Sequence, residues 1–221
     1  ASQDELPEKA SRRRLPAPPA DLCPLRRSRK PFPRRRKVQA RDPNSKPLRF
    51  HSVVAAAAVV LAPGTEISGL DDSKKLSARR REELFCEITE KAVAYSVALA
   101  SVYEIEKYNI LNSALLAMDR AAQTLCVSPS LALVDGNTVR GLSIPARAVV
   151  GGDGICPSVA AASVLAKVTR DRIMEHFDKL YPGYGFSAHK GYGTKAHYAA
   201  ITQLGPTPLH RMSFLKKLYE R

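Results

Sequence analysis

The chain lacks any pair of cysteines at metal-ligand spacing. Cys23, Cys86, Cys126 and Cys156 are scattered over 221 residues without a CxxC or Cys/His pattern. Neither a zinc site nor a disulfide framework is indicated, and reduced thiols in a cytosolic protein are expected. Long apolar runs are missing as well. The longest, Val53 to Ala62, is about ten residues, half of the roughly 20 needed to span a bilayer, so no membrane association is expected. The first residues contain no short apolar core of a secretory signal, and Asp4, Glu5 and Glu8 do not suit an acid-poor transit peptide. A cytoplasmic protein is the expectation. No internal repeat is visible.

What is present is charge, unevenly placed. The net charge of +14 suggests a polyanionic partner, but residues 1–50 carry 15 Lys/Arg against 5 Asp/Glu, which is ten of those fourteen charges. The same stretch holds 9 of the 16 prolines and has arginine runs at Arg12–Arg14 and Arg34–Arg36. So few large apolar residues cannot offset chain entropy, and a disordered segment is expected over residues 1–52. A solvated tail and a nucleic-acid-binding arm both fit it.

From Val53 the pattern changes to alternating strand and helix signals, and residues 53–221 read as one domain. "SVVAAAAVVL" closes at Pro63-Gly64 and suits a strand buried on both faces. Ser77 can cap a helix whose apolar positions include Leu84, Phe85 and Ile88. "VAYSVALA" alternates Val93, Tyr95, Val97 and Leu99 with small residues, which is strand period two. Ile110, Leu111, Leu115, Met118, Ala122 and Leu125 form a further helical stripe. Leu131–Val134 and Ala146–Val150 read as strands, and a helix begins near Pro157 whose alanines face a close neighbour. The expectation is an α/β fold, a mixed central sheet flanked by helices with a helical C-terminal extension. Because every apolar stripe has an internal use, a monomer is expected.

Two carboxylates stand at strand ends. Asp135 follows "LALV", and Asp153 comes 18 residues later in "VVGGDG". Open α/β sheets bind ligands at such ends, and paired carboxylates suit Mg²⁺ or Mn²⁺, with phosphodiester oxygens completing the shell. Ordinary turn chemistry, with Gly136 and Asn137, accounts for Asp135 equally well at this level.

Seven segments in register raise the metal reading. "GLDDSKKLSARRREEL", "YNILNSALLAMDRA", "ALVDGN", "AVVGGDG", "VAAASVLAKVTRDR", "YPGYGFSAHKGYGTKAH" and "HRMSFL" resemble ribonuclease HII, the type 2 ribonuclease H, over residues 53–214. The resemblance implies a ribonuclease H-like fold and an endonuclease cutting the RNA strand of RNA/DNA hybrids, or beside ribonucleotides embedded in duplex DNA. It also implies Mn²⁺ or Mg²⁺ as cofactor and products with a 3′-hydroxyl and a 5′-phosphate. Asp135 and Asp153 match two of the family's four acidic positions, as catalytic and metal-binding residues. Asp72, Ser73 and Lys74 of "DSKKL" fall where a phosphate can be held, although Asp72 and Ser73 also suit helix capping. In "HKGYGT", Gly191 admits close backbone approach, and Tyr192 resembles the tyrosine that stacks beside the ribonucleotide and senses its 2′-hydroxyl. His189, Lys190, His210 and Arg211 are candidates for phosphate contact. Lys167 and Arg170 read equally as nucleic-acid contacts or solvated charges.

The departures lie upstream. The family opens with an adjacent Asp-Glu pair and a Gly-Arg-Gly segment, whereas this chain reads "RDPNSKPLRFHS", with Asp42 near the expected position and no glutamate beside it. Gly151 replaces a usual lysine, and Ser158 a polar or acidic residue. Such an abrupt join is what an out-of-frame or mis-started translation produces. A catalytically impaired protein that binds hybrids without cutting them is the alternative to the enzyme.

Overall fold

The computed structural model describes residues 53–219. The expectations for residues 1–52, Asp42 included, fall outside the described residues. Four strands and six helices follow one another as β1 Val53–Val60, α1 Ala78–Lys91, β2 Ala94–Ser101, α2 Val102–Gln123, β3 Ala132–Asp135, β4 Ala146–Val149, α3 Pro157–Leu180, α4 Phe186–His189, α5 Lys195–Leu204 and α6 Met212–Tyr219. The element order up to α3 is the one the hydrophobic pattern predicts.

Local chemistry sets the element ends. Ser77 caps α1 by accepting from the Arg80 N–H, and Pro157 stands in the first turn of α3, where its missing N–H costs nothing. Ser101 and Glu104 form a reciprocal capping box at the start of α2. Helix α2 is kinked at Asn109, whose φ of 68° is not helical. The Asn109 side chain accepts from the Asn112 N–H at 3.1 Å and so starts the second segment, which is why the apolar stripe is readable only from Ile110 onward.

The mixed pairing expected of a single sheet is divided between two ladders. β1 and β2 run antiparallel, Val53 opposite Ser101 through Val60 opposite Ala94. β3 and β4 run parallel, Ala132 opposite Ala146 through Asp135 opposite Val149. Among the described residues no ladder joins the two. Between them lies an apolar cleft of about 530 Å³, lined along its length by Ala55–Leu61 and Leu131–Asp135 and bounded by residues of α2 and α3.

The β1–β2 ladder is the middle layer of a three-layer stack. One face carries Ala56 and Ala100, which meet Ala117 of α2 with Val54 and Met118 beside them. The other carries Ala57, Val59 and Val97 against Leu84 and Ile88 of α1 and Ala161, Val164, Leu165 and Val168 of α3. Of the large-residue face of the β2 segment only Val97 is packed, while Val93, Tyr95 and Leu99 stay exposed. A second cluster joins Met174 of α3 to Tyr184, Phe186, Ile201 and Leu215. No helix among the described residues is long and apolar enough to cross a membrane, and Cys86, Cys126 and Cys156 are free thiols.

Ala100 is fully buried where β2 meets α2. Ala100→Leu should overpack this layer and lower the unfolding free energy by about 1–3 kcal/mol, read by chemical denaturation.

Candidate active site

The site begins with the end of β3. Asp135 is that strand's last residue, and its Oδ1 accepts from the Gly152 N–H at 3.0 Å. Gly152 opens a single 3₁₀ turn, Gly152–Gly154, which follows Gly151 at φ 67°. A left-handed residue at 151 favours glycine, and a Cβ on residue 152 would stand 3.3 Å from Val149 and Val159 side chains. The two glycines thus let the chain leave β4 and turn Asp153 back toward Asp135. Asp153 lies in this turn rather than at the strand end itself.

Asp72 approaches from the loop before α1. Its carboxylate accepts from the Lys74 N–H at 2.9 Å. Lys74 Nζ stands 3.6 Å from Asp72 and 3.8 Å from Asp153, so one exposed ammonium faces both carboxylates. Asp153 is buried. Burial, then the negative charges of Asp135 and Asp72, push its carboxyl above the usual range, against the pull of Lys74. Asp72 is shifted the other way, chiefly by the Lys74 N–H. Ser73 is turned inward and shares a hydrogen bond of 2.7 Å with Ser163 of α3, so it ties the loop to the helix.

The donor set suits a hard cation. Carboxylate oxygens are the ligands Mg²⁺ and Mn²⁺ prefer, and Mg²⁺ is commonly held by one or two carboxylates with the rest of its shell left to water and phosphate. Asp135 and Asp153 are sufficient for that mode, and their mutual repulsion is what a divalent charge relieves. Among the described residues no group of three His, Cys, Asp or Glu is arranged to hold a metal by protein ligands alone.

The second group of expected residues gathers around the turn after α4. Lys190 adopts φ 49°, a left-handed conformation that a lysine rarely takes. It is held there from three sides. Its carbonyl accepts from Arg170 at 2.8 Å, its Nζ reaches Glu175 at 2.6 Å, and the next N–H, that of Gly191, donates to His189 Nδ1 at 3.1 Å. Arg170 also donates to the Val53 carbonyl at 3.2 Å and stands 5.6 Å from the Tyr192 ring. It is a buried strut rather than a solvated charge. Lys167 pairs with Asp171 at 2.7 Å. Arg211 is buried over the Phe214 ring, its Nε 3.5 Å from Glu106.

Helix α3 connects the two groups. Arg81 donates to the Ser73 carbonyl and pairs with Asp171 at 3.9 Å, while Lys190 Nζ lies 3.5 Å from the Asp171 carbonyl. Ser163, Lys167, Arg170 and Asp171 recur at helical spacing, so the carboxylate group and the Tyr192 turn are spaced along one helix wall by about 12 Å.

Sequence reading missed His197. It is almost fully buried, its ring stacked on His189 with centroids 4.1 Å apart, and burial pushes its imidazole down to about 4. His210 is lowered by burial too. The two histidines that bound "HKGYGTKAH" are a signal that they could share a site, but the spacing carries no indication of which is buried.

Asp135 at the end of β3 and Asp153 in the turn after β4, on an α/β layer with a strand–helix–strand–helix–strand–strand–helix order, are the features of a ribonuclease H-like fold. The ribonuclease HII family model matches residues 50–217, and the chain belongs to that family of ribonuclease H-type endonucleases. The ribonuclease H2 of Pyrococcus horikoshii OT3 is similar in structure, with a TM-score of 0.61 and 24% identity over 76% of this chain and 98% of that one. Ribonuclease HII of Archaeoglobus fulgidus, solved in complex with PCNA, gives 0.56 and 26% over 76% of this chain and 87% of that one.

Folding holds His197 and His210 neutral while the unfolded chain takes up protons near 6.5. Stability should therefore be complete above about pH 6.5 and fall as the pH drops toward 4, read as a declining melting temperature.

Proposed function

We propose that this chain is an endonuclease that hydrolyses the RNA strand of RNA/DNA hybrids, and duplex DNA at embedded ribonucleotides, leaving a 3′-hydroxyl and a 5′-phosphate. The observation that carries this reading is that Asp72 and Asp153 share one ammonium while Asp135, held by the Gly152 N–H, is close enough for its charge to act on Asp153. Asp135 and Asp153 would hold Mg²⁺ or Mn²⁺, which would supply positive charge at the scissile phosphate and so favour attack by water.

The protein's own groups do the rest. Lys74, 77% exposed at its side chain, is placed to exchange its two carboxylate neighbours for a phosphate oxygen. Asp72 and Ser73 shape the loop that presents it. Along the α3 wall, Tyr192 offers an exposed ring for stacking on a sugar or base, with the Gly191 backbone beside it to approach the strand. His189 and Lys190 hold that turn in its left-handed conformation, and Arg211 supports the neighbouring α6 as a buried cation. Cytoplasmic location and a monomeric state complete the reading, with the basic residues 1–52 adding affinity for nucleic acid.

One observation favours a second reading, a protein that binds hybrids without cutting them: the described residues alone provide no three-ligand metal group. Incubating the full chain with an RNA/DNA hybrid and Mn²⁺ separates the two. The enzyme should release 3′-hydroxyl products, and Asp135→Asn should lower kcat by about 10²–10³-fold with little loss of hybrid affinity. Retarded hybrid with no product at any Mn²⁺ concentration would establish the binding protein instead. Lys74→Ala should raise KM several-fold and flatten the salt dependence of binding by about one phosphate contact.

A further inference from the structure

Three histidines from three chain segments are joined behind the Tyr192 turn, and their partners assign the proton on each ring. The Thr207 N–H donates to His210 Nδ1 at 2.9 Å, so His210 carries its proton on Nε2. That proton points at His197 Nε2, 3.1 Å away. His197 is therefore protonated on Nδ1, which donates to the Tyr192 carbonyl at 2.9 Å. The same carbonyl accepts from the Thr194 N–H at 2.9 Å. His189, stacked on His197, receives the Gly191 N–H on Nδ1 and so donates from Nε2 to the Tyr184 carbonyl at 2.7 Å. Every ring nitrogen has a role, and both peptide groups that flank the strained Lys190–Tyr192 turn end on an imidazole.

Resting on the proposed nucleic-acid contact by Tyr192, we propose that His197 and His210 are positioning residues that set the depth and orientation of Tyr192 in the substrate groove. Neither touches substrate. Their effect passes through the Tyr192 carbonyl, which fixes the peptide plane from which the ring projects. A turn with a left-handed lysine is costly to hold, and a buried hydrogen-bonded chain is the kind of support that holds it in one arrangement. The groups facing His197 are His189 from α4 and His210 from the α5–α6 loop, with the Phe186 ring edge-on at 5.5 Å. Asp178 of α3 acts on His189 in turn, and Arg170 of α3 lies beside the Tyr192 ring. A proton added to His197 puts N–H on both facing Nε2 atoms and breaks their bond, so acidification releases the turn.

The test uses the full chain in three forms. His197→Phe keeps the ring volume and loses the donor, and His197→Asn restores an N–H where Nδ1 stood. With a duplex carrying one ribonucleotide, His197→Phe should raise KM about tenfold with kcat nearly unchanged, the scale of one lost hydrogen bond, and His197→Asn should recover most of it. In protein labelled with 3-fluorotyrosine, with Tyr192→Phe identifying the signal, the Tyr192 resonance should shift in His197→Phe. In the parent chain it should titrate as pH falls toward 4, and in His197→Phe it should not. Wild-type KM together with an unmoved Tyr192 resonance in a folded His197→Phe overturns the proposal, as does His197→Asn behaving like His197→Phe. The fluorine measurement needs no cleavage, so a chain that fails to cut the duplex counts against the proposed function and leaves this test intact.

Discussion

The close approach of α3 to β1 is the constraint on which the rest depends. Ala161, Val164, Leu165 and Val168 form a face of modest volume, and β1 answers with Ala57 and Val59, so a 24-residue helix can approach the strand closely. Everything functional is then measured from that helix. Its N-terminal end receives the Gly152–Gly154 turn that bears Asp153. Ser163 anchors the Asp72–Lys74 loop, and Arg170, Asp171 and Glu175 hold the turn before Tyr192. A bulkier residue at the α3–β1 contact would move both halves of the site together.

The polar interior follows the same economy. Arg170 and Arg81 are not surface charges but braces: Arg170 joins the carbonyls of Val53 and Lys190 from separate segments, and Arg81 holds the Ser73 and Leu76 carbonyls of one loop. A guanidinium suits this because its planar fork can span two carbonyls at once without losing its charge. Asp171 collects Arg81 and Lys167 at its carboxylate. Charge buried in this way orders loops that would otherwise be held by few apolar contacts.

Much of this was legible in the sequence, for identifiable reasons. Short apolar runs located β1, β3 and β4, period two located β2, and helical stripes located α1 and α2, while Pro157 and the alanines after it marked α3. Asp135 was readable because it interrupts an apolar run at its end. The division of the pairing into two ladders was not, because hydrophobic pattern reports burial and says nothing of which edge meets which. Nor was the inward turn of Arg170: an arginine on a helix reads as solvated until two carbonyls are found within its reach. His197 was hidden for a similar reason, as its burial depends on Phe186 and His210, which are close only after folding.

The cleft between the ladders reverses the usual distribution of protection in a layered α/β protein. The middle of a sheet is ordinarily the last place where backbone amides meet solvent, and its margins open first. Here the inner margins of β1 and β3 face an apolar gap, while the paired sides are the outward ones. Backbone amides on the inner margins of β1 and β3 should therefore exchange before those of the paired sides.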